Sequence, residues 1–219
     1  MTNNLLKYKF LSCLDVGANT GQFAQMLLEE LPSIRIVSIE PNPNCIKFLK
    51  KHVNEYYMCG LGNKEEKLKL LTPANKRKSK AASFFLHGNQ TGIDDVIETE
   101  VDVFVGDTLF KDDQFDLIKI DTQGYEYFVI DGAKELIKRS NYVLIEYQTK
   151  LTNKNAPESI ESVKLLEKLG FRITDLIHVN DSNHVAKFDS VHLDILFEKR
   201  DTHNYDCLDK FKKYFKDIQ

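Results

Sequence analysis

Short apolar runs alternate along the chain with longer segments whose apolar residues recur at helical spacing. Residues 21–31 and 159–169 each place their apolar side chains on one helical face, and Gly170 follows the second, where glycine commonly ends a helix. Helices are also predicted at residues 44–53 and 126–139. Runs rich in β-branched and aromatic residues predict strands at residues 10–16, 34–39, 55–61, 115–120, 142–147, 171–177 and 191–197.

This alternation of strands with helices predicts βαβ units, and therefore a doubly wound α/β sheet that is mostly parallel, with helices on both faces. The last predicted strand alternates His192 and Asp194 with apolar residues, as a late or antiparallel strand does. No stretch is long enough to be a linker. We therefore expect a single domain over residues 1–219, with its core at about 10–198.

The C-terminal residues 206–218 carry a narrow apolar stripe surrounded by lysines. We expect an amphipathic helix that packs back onto the sheet. A homodimer contact and a membrane-surface helix are the alternatives, and the narrow stripe without Trp disfavours the second of these.

Two stretches interrupt the alternation and carry opposite charge. Residues 64–80 contain seven Lys or Arg against two Glu, whereas residues 94–116 contain nine Asp or Glu against one Lys. Charge runs are usually solvated faces, so we interpret both as polar loops. The alternative is that the basic stretch, which includes residues 76–80, attracts an anionic acceptor such as a phosphorylated sugar.

Composition excludes several classes of protein. The 219 residues are 42% hydrophobic with a formal net charge of −3, which argues against disorder and removes a global electrostatic case for nucleic-acid binding. No run of about 18 apolar residues occurs, so no membrane span is expected. The four cysteines show no paired spacing for zinc or a disulfide framework, and no signal peptide is recognised, which together favour a cytoplasmic location.

The most informative segment is residues 14–21, Leu-Asp-Val-Gly-Ala-Asn-Thr-Gly, where the first predicted strand ends in a glycine turn that opens a helix. Gly17 and Gly21 let the backbone approach a ligand closely. The segment lacks the second glycine of a dinucleotide site and the Lys-Ser/Thr pair of a P-loop. Asp15 disfavours a phosphate and favours a cationic, amine-bearing ligand such as S-adenosylmethionine.

Glu40 ends the next predicted strand, 19 residues after Gly21. An acidic residue near this spacing binds the ribose hydroxyls of an adenosine ligand in related folds. Either Asp15 or Glu40 alone would also suit a residue that caps a turn. Both together, at consecutive strand ends, favour a nucleoside cofactor.

Five segments resemble, in order, the FkbM-type S-adenosylmethionine-dependent methyltransferases: LDVGANTG (14–21), SIEPNP (38–43), LGN (61–63), DLIKIDTQGYEYFVIDGA (116–133) and LIEY (144–147). The K-I-D-x-Q-G-x-E stretch is the specific part. The resemblance covers about residues 14–198. It implies a seven-stranded, Rossmann-like class I methyltransferase fold and transfer to oxygen, usually a hydroxyl of a sugar or secondary metabolite.

The resemblance also implies roles for individual residues. Glu40 would bind the ribose, Asn42 would lie beside the adenosine, and the glycine turn would line the methionine part of the cofactor. Asp121, Gln123 and Glu126 would face the transferred methyl. The full cofactor-binding set comprises Asp15, Gly17, Ala18, Asn19, Gly21, Glu40, Pro41, Asn42, Gly60 and Gln123.

Methyl transfer from a sulfonium is an in-line displacement, and a sugar hydroxyl is a poor nucleophile that a general base would assist. Asp121, Glu126 and Glu146 are the candidate acids for that role. A divalent metal held by such a cluster is possible, but none is assigned. For Glu126 the alternative is a charge that complements the helix dipole. His192 is a further candidate base, while spacing singles out none of His87, His178 and His184.

We therefore expect an S-adenosylmethionine-dependent O-methyltransferase that acts on a hydroxyl of a sugar, in a glycan or a glycosylated small molecule. The alternatives are a nucleic-acid methyltransferase of the same fold and a cofactor-binding interaction module without activity. Residues 121–124 read Asp-Thr-Gln-Gly, not the Asn/Asp-Pro-Pro-aromatic of exocyclic-amine enzymes. The intact set of Asp15, Glu40 and Asp121 disfavours the inactive module. Acceptor choice is expected to lie in the insertions at 63–91, 149–157 and 179–190.

Overall fold

A computed structural model describes residues 5–53, 55–74, 82–85, 96–149, 155–179 and 191–200. The predicted C-terminal helix, the basic cluster at 76–80, His87 and His184 lie outside these residues, and the side chain of His178 is also not described.

The elements follow the predicted alternation, with an additional pair of long strands in the middle of the chain. The strands are β1 Ser12–Val16, β2 Arg35–Ile39, β3 Glu55–Tyr57, β4 Gly60–Gly62, β5 Glu66–Pro73, β6 Val96–Val105, β7 Leu117–Ile120, β8 Tyr142–Gln148, β9 Phe171–Val179 and β10 His192–Lys199. The helices are α1 Gln22–Glu30, α2 Pro43–Leu49, α3 Gly106–Leu109, α4 Glu126–Asp131, α5 Lys134–Lys138 and α6 Ser159–Lys168.

Seven strands form the central sheet, in the order β3-β2-β1-β7-β8-β10-β9. Neighbours are parallel except at β10, which runs antiparallel to both β8 and β9. The prediction of a seven-stranded, mostly parallel sheet with an antiparallel last strand is confirmed. Because the strand order reverses between β1 and β7, a ligand crevice is expected at the carboxyl ends of these two strands.

Helices cover both faces of this sheet, as predicted. Apolar residues of α1 and α2 pack in one core cluster. Those of α4, α5 and α6 pack in a second cluster on the opposite face. The chain is therefore doubly wound, with the sheet as the middle of three layers.

The two faces of the sheet differ in polarity. Beneath α4 and α6 the side chains of the central strands are apolar along their whole length, as at Val16, Ile120 and Ile195. Because successive side chains of a strand point to opposite faces, the intervening residues share the other face. That face is apolar at one end and polar at the crevice end, where it carries Asp15, Lys119, Glu146, Gln148, His192 and Asp194.

A second, three-stranded sheet in the order β4-β6-β5 corrects two predictions. The interpretation of residues 66–73 and 96–105 as polar loops is wrong, because they form the antiparallel pair β5 and β6. Their opposite charges neutralise each other across the strands, with Lys67 Nζ 3.0 Å from Glu100 Oε1 and Lys69 Nζ 2.7 Å from Glu98 Oε2. The single strand predicted at 55–61 is two strands that belong to different sheets.

The helix predicted at residues 126–139 is interrupted, which corrects a third prediction. It divides into α4 and α5 at Gly132 and Ala133. A side chain at Gly132 would place its Cβ 1.9 Å from the Gly62 carbonyl oxygen, so the backbone of this junction lies directly against β4. The Gly132 carbonyl also accepts a hydrogen bond from the Asp107 amide, 2.9 Å away, instead of continuing a helical ladder.

Candidate active site

A cavity of about 420 Å³ opens at the carboxyl ends of β1, β2 and β7, where the strand order predicts a ligand crevice. Its volume lies within the range of about 300–1,000 Å³ that is usual for small-molecule sites. The turn after β1, the end of β2, the segment after β7 and residues 82–84 contribute to its walls. The sequence-predicted residues that line it are Gly17, Ala18, Asn19, Glu40, Pro41, Asn42, Gly60, Asp121 and Gln123.

The turn between β1 and α1 is built from residues in left-handed backbone conformations. Gly17, Asn19 and Gly21 have φ angles of 81°, 52° and 84°. Position 17 requires glycine for two reasons. Its φ angle is positive, and a Cβ there would lie 1.9 Å from the Asp121 carbonyl oxygen. The Gly17 and Ala18 amides donate to the Ile39 carbonyl, at 2.9 and 3.0 Å, which ties the turn to the end of β2.

Glu40 closes the same turn from the end of β2. Its Oε2 accepts a hydrogen bond from the Asn19 amide and its Oε1 from the Asn42 amide, both at 2.7 Å. Burial raises the pKa of this carboxyl to about 7, although the two amides oppose the shift. Each oxygen keeps a second lone pair for a further donor such as a ribose hydroxyl.

Asp15 lies behind the cavity wall and is paired with a residue to which the sequence analysis gave no role. The register of β1 and β7 places Asp15 beside Lys119, with Lys119 Nζ 3.2 Å from Asp15 Oδ1. Asp15 is fully buried, and the side chain of Lys119 is 13% exposed. Burial raises the pKa of Asp15, and the Lys119 ammonium opposes the shift. The sequence signal for such a pairing is a lysine within the otherwise apolar run of β7.

The Lys119 ammonium also connects this buried pair to the acidic side of the cavity. Its Nζ lies 3.5 Å from Asp121 Oδ2 and 5.3 Å from the centre of the Phe23 ring. Burial alone would lower the pKa of Lys119, but Asp15 and Asp121 outweigh it and raise the pKa above its ordinary value. Because Lys119 balances Asp15, Asp15 does not present an isolated negative charge to a ligand.

Asp121, Glu146 and His192 are brought together through Gln123. The Gln123 amide donates to Asp121 Oδ1 and to Glu146 Oε2, both at 3.0 Å. His192 Nδ1 lies 3.1 Å from Glu146 Oε1, and Gln148 Nε2 donates to Glu146 Oε2 at 3.1 Å. Burial lowers the pKa of His192, but the hydrogen bond and charge of Glu146 outweigh it and raise the pKa. Glu146 and His192 stand behind Asp121 and Gln123 and do not line the cavity.

Glu126 is directed away from this group and onto the turn that precedes its own helix. Its carboxylate accepts hydrogen bonds from the amides of Thr122 and Gly124 at 2.8 and 3.0 Å. These bonds hold the turn in which Gln123 has a φ of 55°. Burial, together with the charge of Glu146, raises the pKa of Glu126 to about 7. In this geometry Glu126 stabilises the turn between β7 and α4 through backbone amides.

Asp194 and residues 82–84 also line the cavity, and no sequence motif points to either of them individually. Asp194 lines the cavity from β10. Phe84 packs edge-on against Tyr125 with ring centres 4.9 Å apart, and Ser83 Oγ donates to the Gln123 carbonyl at 2.8 Å. This short segment therefore covers the cavity from the side of the second sheet. It falls within the insertion predicted to govern acceptor choice.

Two general findings concern the described residues as a whole. In that part of the chain, no three side chains of His, Cys, Asp or Glu are grouped so that they could hold one metal ion. None of the helices described there is both long enough and apolar enough to cross a bilayer.

Comparisons with known proteins agree with this architecture. The family model of the methyltransferase FkbM domain matches residues 15–173. A solved methyltransferase FkbM from Methylobacillus flagellatus KT superposes with a TM-score of 0.52 at 16% identity, covering 85% of this chain and 43% of its own. The chain thus spans less than half of that protein. No curated protein sequence matches.

Two further solved structures share the fold at low identity. A Listeria monocytogenes protein that is proposed to be an S-adenosylmethionine-dependent methyltransferase gives a TM-score of 0.51 at 10% identity, with 87% of this chain and 91% of that chain covered. A Streptococcus pneumoniae protein that is proposed to be a tRNA (m1A22) methyltransferase gives a TM-score of 0.51 at 11% identity, with 100% of this chain and 80% of that chain covered. These likenesses establish a class I methyltransferase fold and carry no information about the acceptor.

Proposed function

This chain belongs to the FkbM family of methyltransferases, and we propose that it transfers the methyl group of S-adenosylmethionine to a hydroxyl of a sugar, in a glycan or a glycosylated small molecule. Membership of the family implies use of that cofactor. The choice of oxygen as acceptor is supported by one observation above all, the hydrogen-bonded group of Asp121, Gln123, Glu146 and His192 beside the cavity.

The residues around the turn fit a nucleoside cofactor. Glu40 is buried, lines the cavity and retains a lone pair on each oxygen, as a carboxylate that binds ribose hydroxyls requires. We propose that the backbone of Gly17 and Asn19 lies along the methionine part, and that Pro41 and Asn42 lie beside the adenine. When bound there, the cofactor supplies an electrophilic methyl group.

Asp121 is the carboxylate that we propose contacts the acceptor. It lines the cavity at the end of β7, where its Oδ2 lies 3.5 Å from Lys119 Nζ and its Oδ1 accepts a hydrogen bond from the Gln123 amide. An ionised carboxylate accepts a hydrogen bond from an acceptor hydroxyl and so fixes the oxygen in place. Holding two reacting groups in line contributes a large part of the rate enhancement for a displacement of this kind.

The pair of Glu146 and His192 supports that arrangement from behind. Glu146 accepts hydrogen bonds from Gln123 and from Gln148, and it also contacts the His192 imidazole. These bonds fix the Gln123 amide, which in turn fixes Asp121. In this proposal Glu126 acts on the same turn through its backbone amides and does not touch the acceptor.

The cellular setting and domain content are also proposals. Cys13, Cys45 and Cys59 are buried thiols that form no disulfide with one another, which supports a reducing, cytoplasmic location. We also propose that the chain forms one domain.

Transfer of a radiolabelled methyl group tests the function. Cell-extract fractions of glycans, sugar nucleotides, RNA and DNA are incubated with the protein and labelled S-adenosylmethionine, and we expect label in a carbohydrate fraction. Label in RNA or DNA alone would move the assignment to nucleic acid. S-adenosylhomocysteine should bind in calorimetry, and no binding at millimolar concentration would contradict the cofactor site.

A variant at the proposed contact residue separates binding from chemistry. We expect Asp121→Ala to keep the S-adenosylhomocysteine Kd within about tenfold, because Asp121 contacts the acceptor and not the cofactor. Its turnover should fall by at least about a hundredfold. The exposed Asp112→Asn is the matched control and should change neither quantity. Unchanged turnover in Asp121→Ala would remove Asp121 from the mechanism.

A further inference from the structure

Asp194 is a carboxylate that lines the cavity from β10, which β7 and β8 separate from β1 in the central sheet. We propose that Asp194 is the general base, the group that takes the proton from the acceptor hydroxyl during methyl transfer. This inference rests on the proposed function and identifies a residue that neither the family resemblance nor the sequence motifs single out.

The first argument is position. The alternation of β10 puts Asp194 on the polar face of the sheet, and the register pairs it with Glu146 of β8. Asp194, Asp121 and Lys119 all line the same cavity. A hydroxyl that is hydrogen-bonded to Asp121 would therefore share the cavity with a second carboxylate, that of Asp194.

The second argument is that the oxygens of Asp194 accept no hydrogen bond from the residues that the structure describes. The two other carboxylates that line the cavity have partners. Asp121 accepts a hydrogen bond from Gln123 and forms an ion pair with Lys119, and Glu40 accepts hydrogen bonds from two backbone amides. Glu146, behind the wall, accepts from two amide side chains and contacts an imidazole. Within the described part of the chain, Asp194 has no hydrogen-bond donor of its own, so its lone pairs face the cavity.

The third argument is the electrostatic surroundings. Burial raises the pKa of Asp194 to about 7, and the charges of Asp121 and Glu146 add to the shift, while Lys119 and His192 oppose it. His178 of β9 is its register partner on the other side. A base that titrates near the working pH combines a useful fraction of the ionised form with a strong affinity for the proton.

The step is balanced in atoms and charge. A lone pair of the acceptor oxygen forms the new bond to the methyl carbon, and the carbon–sulfur bond breaks with its electron pair left on sulfur. The O–H bond breaks with its pair left on oxygen, and the proton passes to the Asp194 carboxylate. One negative and one positive charge are lost together, so the net charge is the same before and after transfer.

A ligand-free titration is the first test. The carboxyl carbon of Asp194 is followed by NMR in the ¹³C-labelled protein, and Asp194→Asn identifies its resonance. We expect a midpoint near 7. A midpoint near 4, the ordinary value for Asp, would overturn the proposal whatever the activity of the protein.

The kinetic test compares Asp194→Asn with the surface variant Asp112→Asn, using labelled S-adenosylmethionine and a panel of methyl glycosides together with the cell-extract glycan fraction. We expect kcat to fall by about 10²- to 10⁴-fold in Asp194→Asn. The S-adenosylhomocysteine Kd should stay within about threefold, which also shows that the variant is folded. The wild-type rate should rise with pH through an inflection near 7, and this inflection should be missing in Asp194→Asn.

The outcomes separate the two proposals. If the wild-type protein labels no carbohydrate, the proposed function fails. If it does, and Asp194→Asn keeps kcat within threefold or keeps the inflection near 7, the function stands and the assignment of Asp194 is wrong. Because Glu40 also has a pKa near 7, only loss of the inflection on substitution of Asp194 supports the assignment.

Discussion

The buried pair of Lys119 and Asp15 gives the sharpest prediction about stability. Lys119→Met keeps most of the side-chain volume beside Phe23 but removes the charge that balances Asp15, whose carboxylate is fully buried and has no other hydrogen-bond donor in the described structure. The carboxyl of the variant must then be protonated in the folded state. With an unfolded pKa of about 3.9, this costs about 4 kcal/mol at pH 7 and about 1.5 kcal/mol at pH 5. A loss of similar size is typical when one partner of a buried ion pair is removed.

Urea unfolding of the wild type and variant at both pH values is the assay. A matched control comes from Lys67, whose Nζ lies 3.0 Å from Glu100 but whose side chain is 64% exposed. Lys67→Met should cost less than about 1 kcal/mol, with no change between pH 5 and pH 7. The double variant Asp15→Asn, Lys119→Met should recover much of the loss and all of its pH dependence. A loss in Lys119→Met below about 1 kcal/mol at pH 7, or an equal loss at both pH values, would refute the reasoning.

Three further outcomes are expected. Glu40→Gln should raise the S-adenosylhomocysteine Kd by about 10- to 100-fold in calorimetry, because a charged acceptor is lost, whereas Glu98→Gln on exposed β6 should leave it unchanged. Gly132→Ala should cost about 1–3 kcal/mol in urea unfolding, because its Cβ would meet the Gly62 carbonyl at 1.9 Å; wild-type stability would show that α4 and α5 can separate from β4. Glu40 and Glu126 have pKa values near 7 in the folded state, above their values in the unfolded chain, so the folded state binds more protons. Tm should therefore rise as the pH falls from 8 to 5.5. A falling Tm would contradict the burial of these groups.

The central sheet could be predicted because its strands are nearly pure apolar runs separated by helices with clear periodicity. The second sheet could not, because β5 and β6 alternate charged with apolar residues, and runs of charge are more typical of solvated loops. The opposite signs of the two stretches were in fact a signal for pairing, since Lys67 and Lys69 meet acids of β6. The break at Gly132 depends on a contact with β4, which helical periodicity does not encode.

The site was predictable where it depends on local turns. The glycine turn and Glu40 occupy the places expected from their spacing. Lys119 and Asp194 were missed for a common reason: each is a charged residue inside a strand, and its role depends on neighbours that only the strand order brings close. The alternation of β10 was visible in the sequence, but the face that points to the cavity was not.

The pairing of Asp15 with Lys119 has a consequence for how the sheet assembles. A slip of β7 by one residue against β1 would turn Lys119 onto the wholly apolar face beneath α4 and α6 and leave Asp15 buried without a counter-charge. Apolar neighbours such as Leu117, Ile118 and Ile120 would tolerate either alignment almost equally, because they differ little in size and polarity. The two charged residues therefore favour the register that pairs them over alignments that the apolar residues alone would allow. They exert this preference during folding, before any ligand is bound.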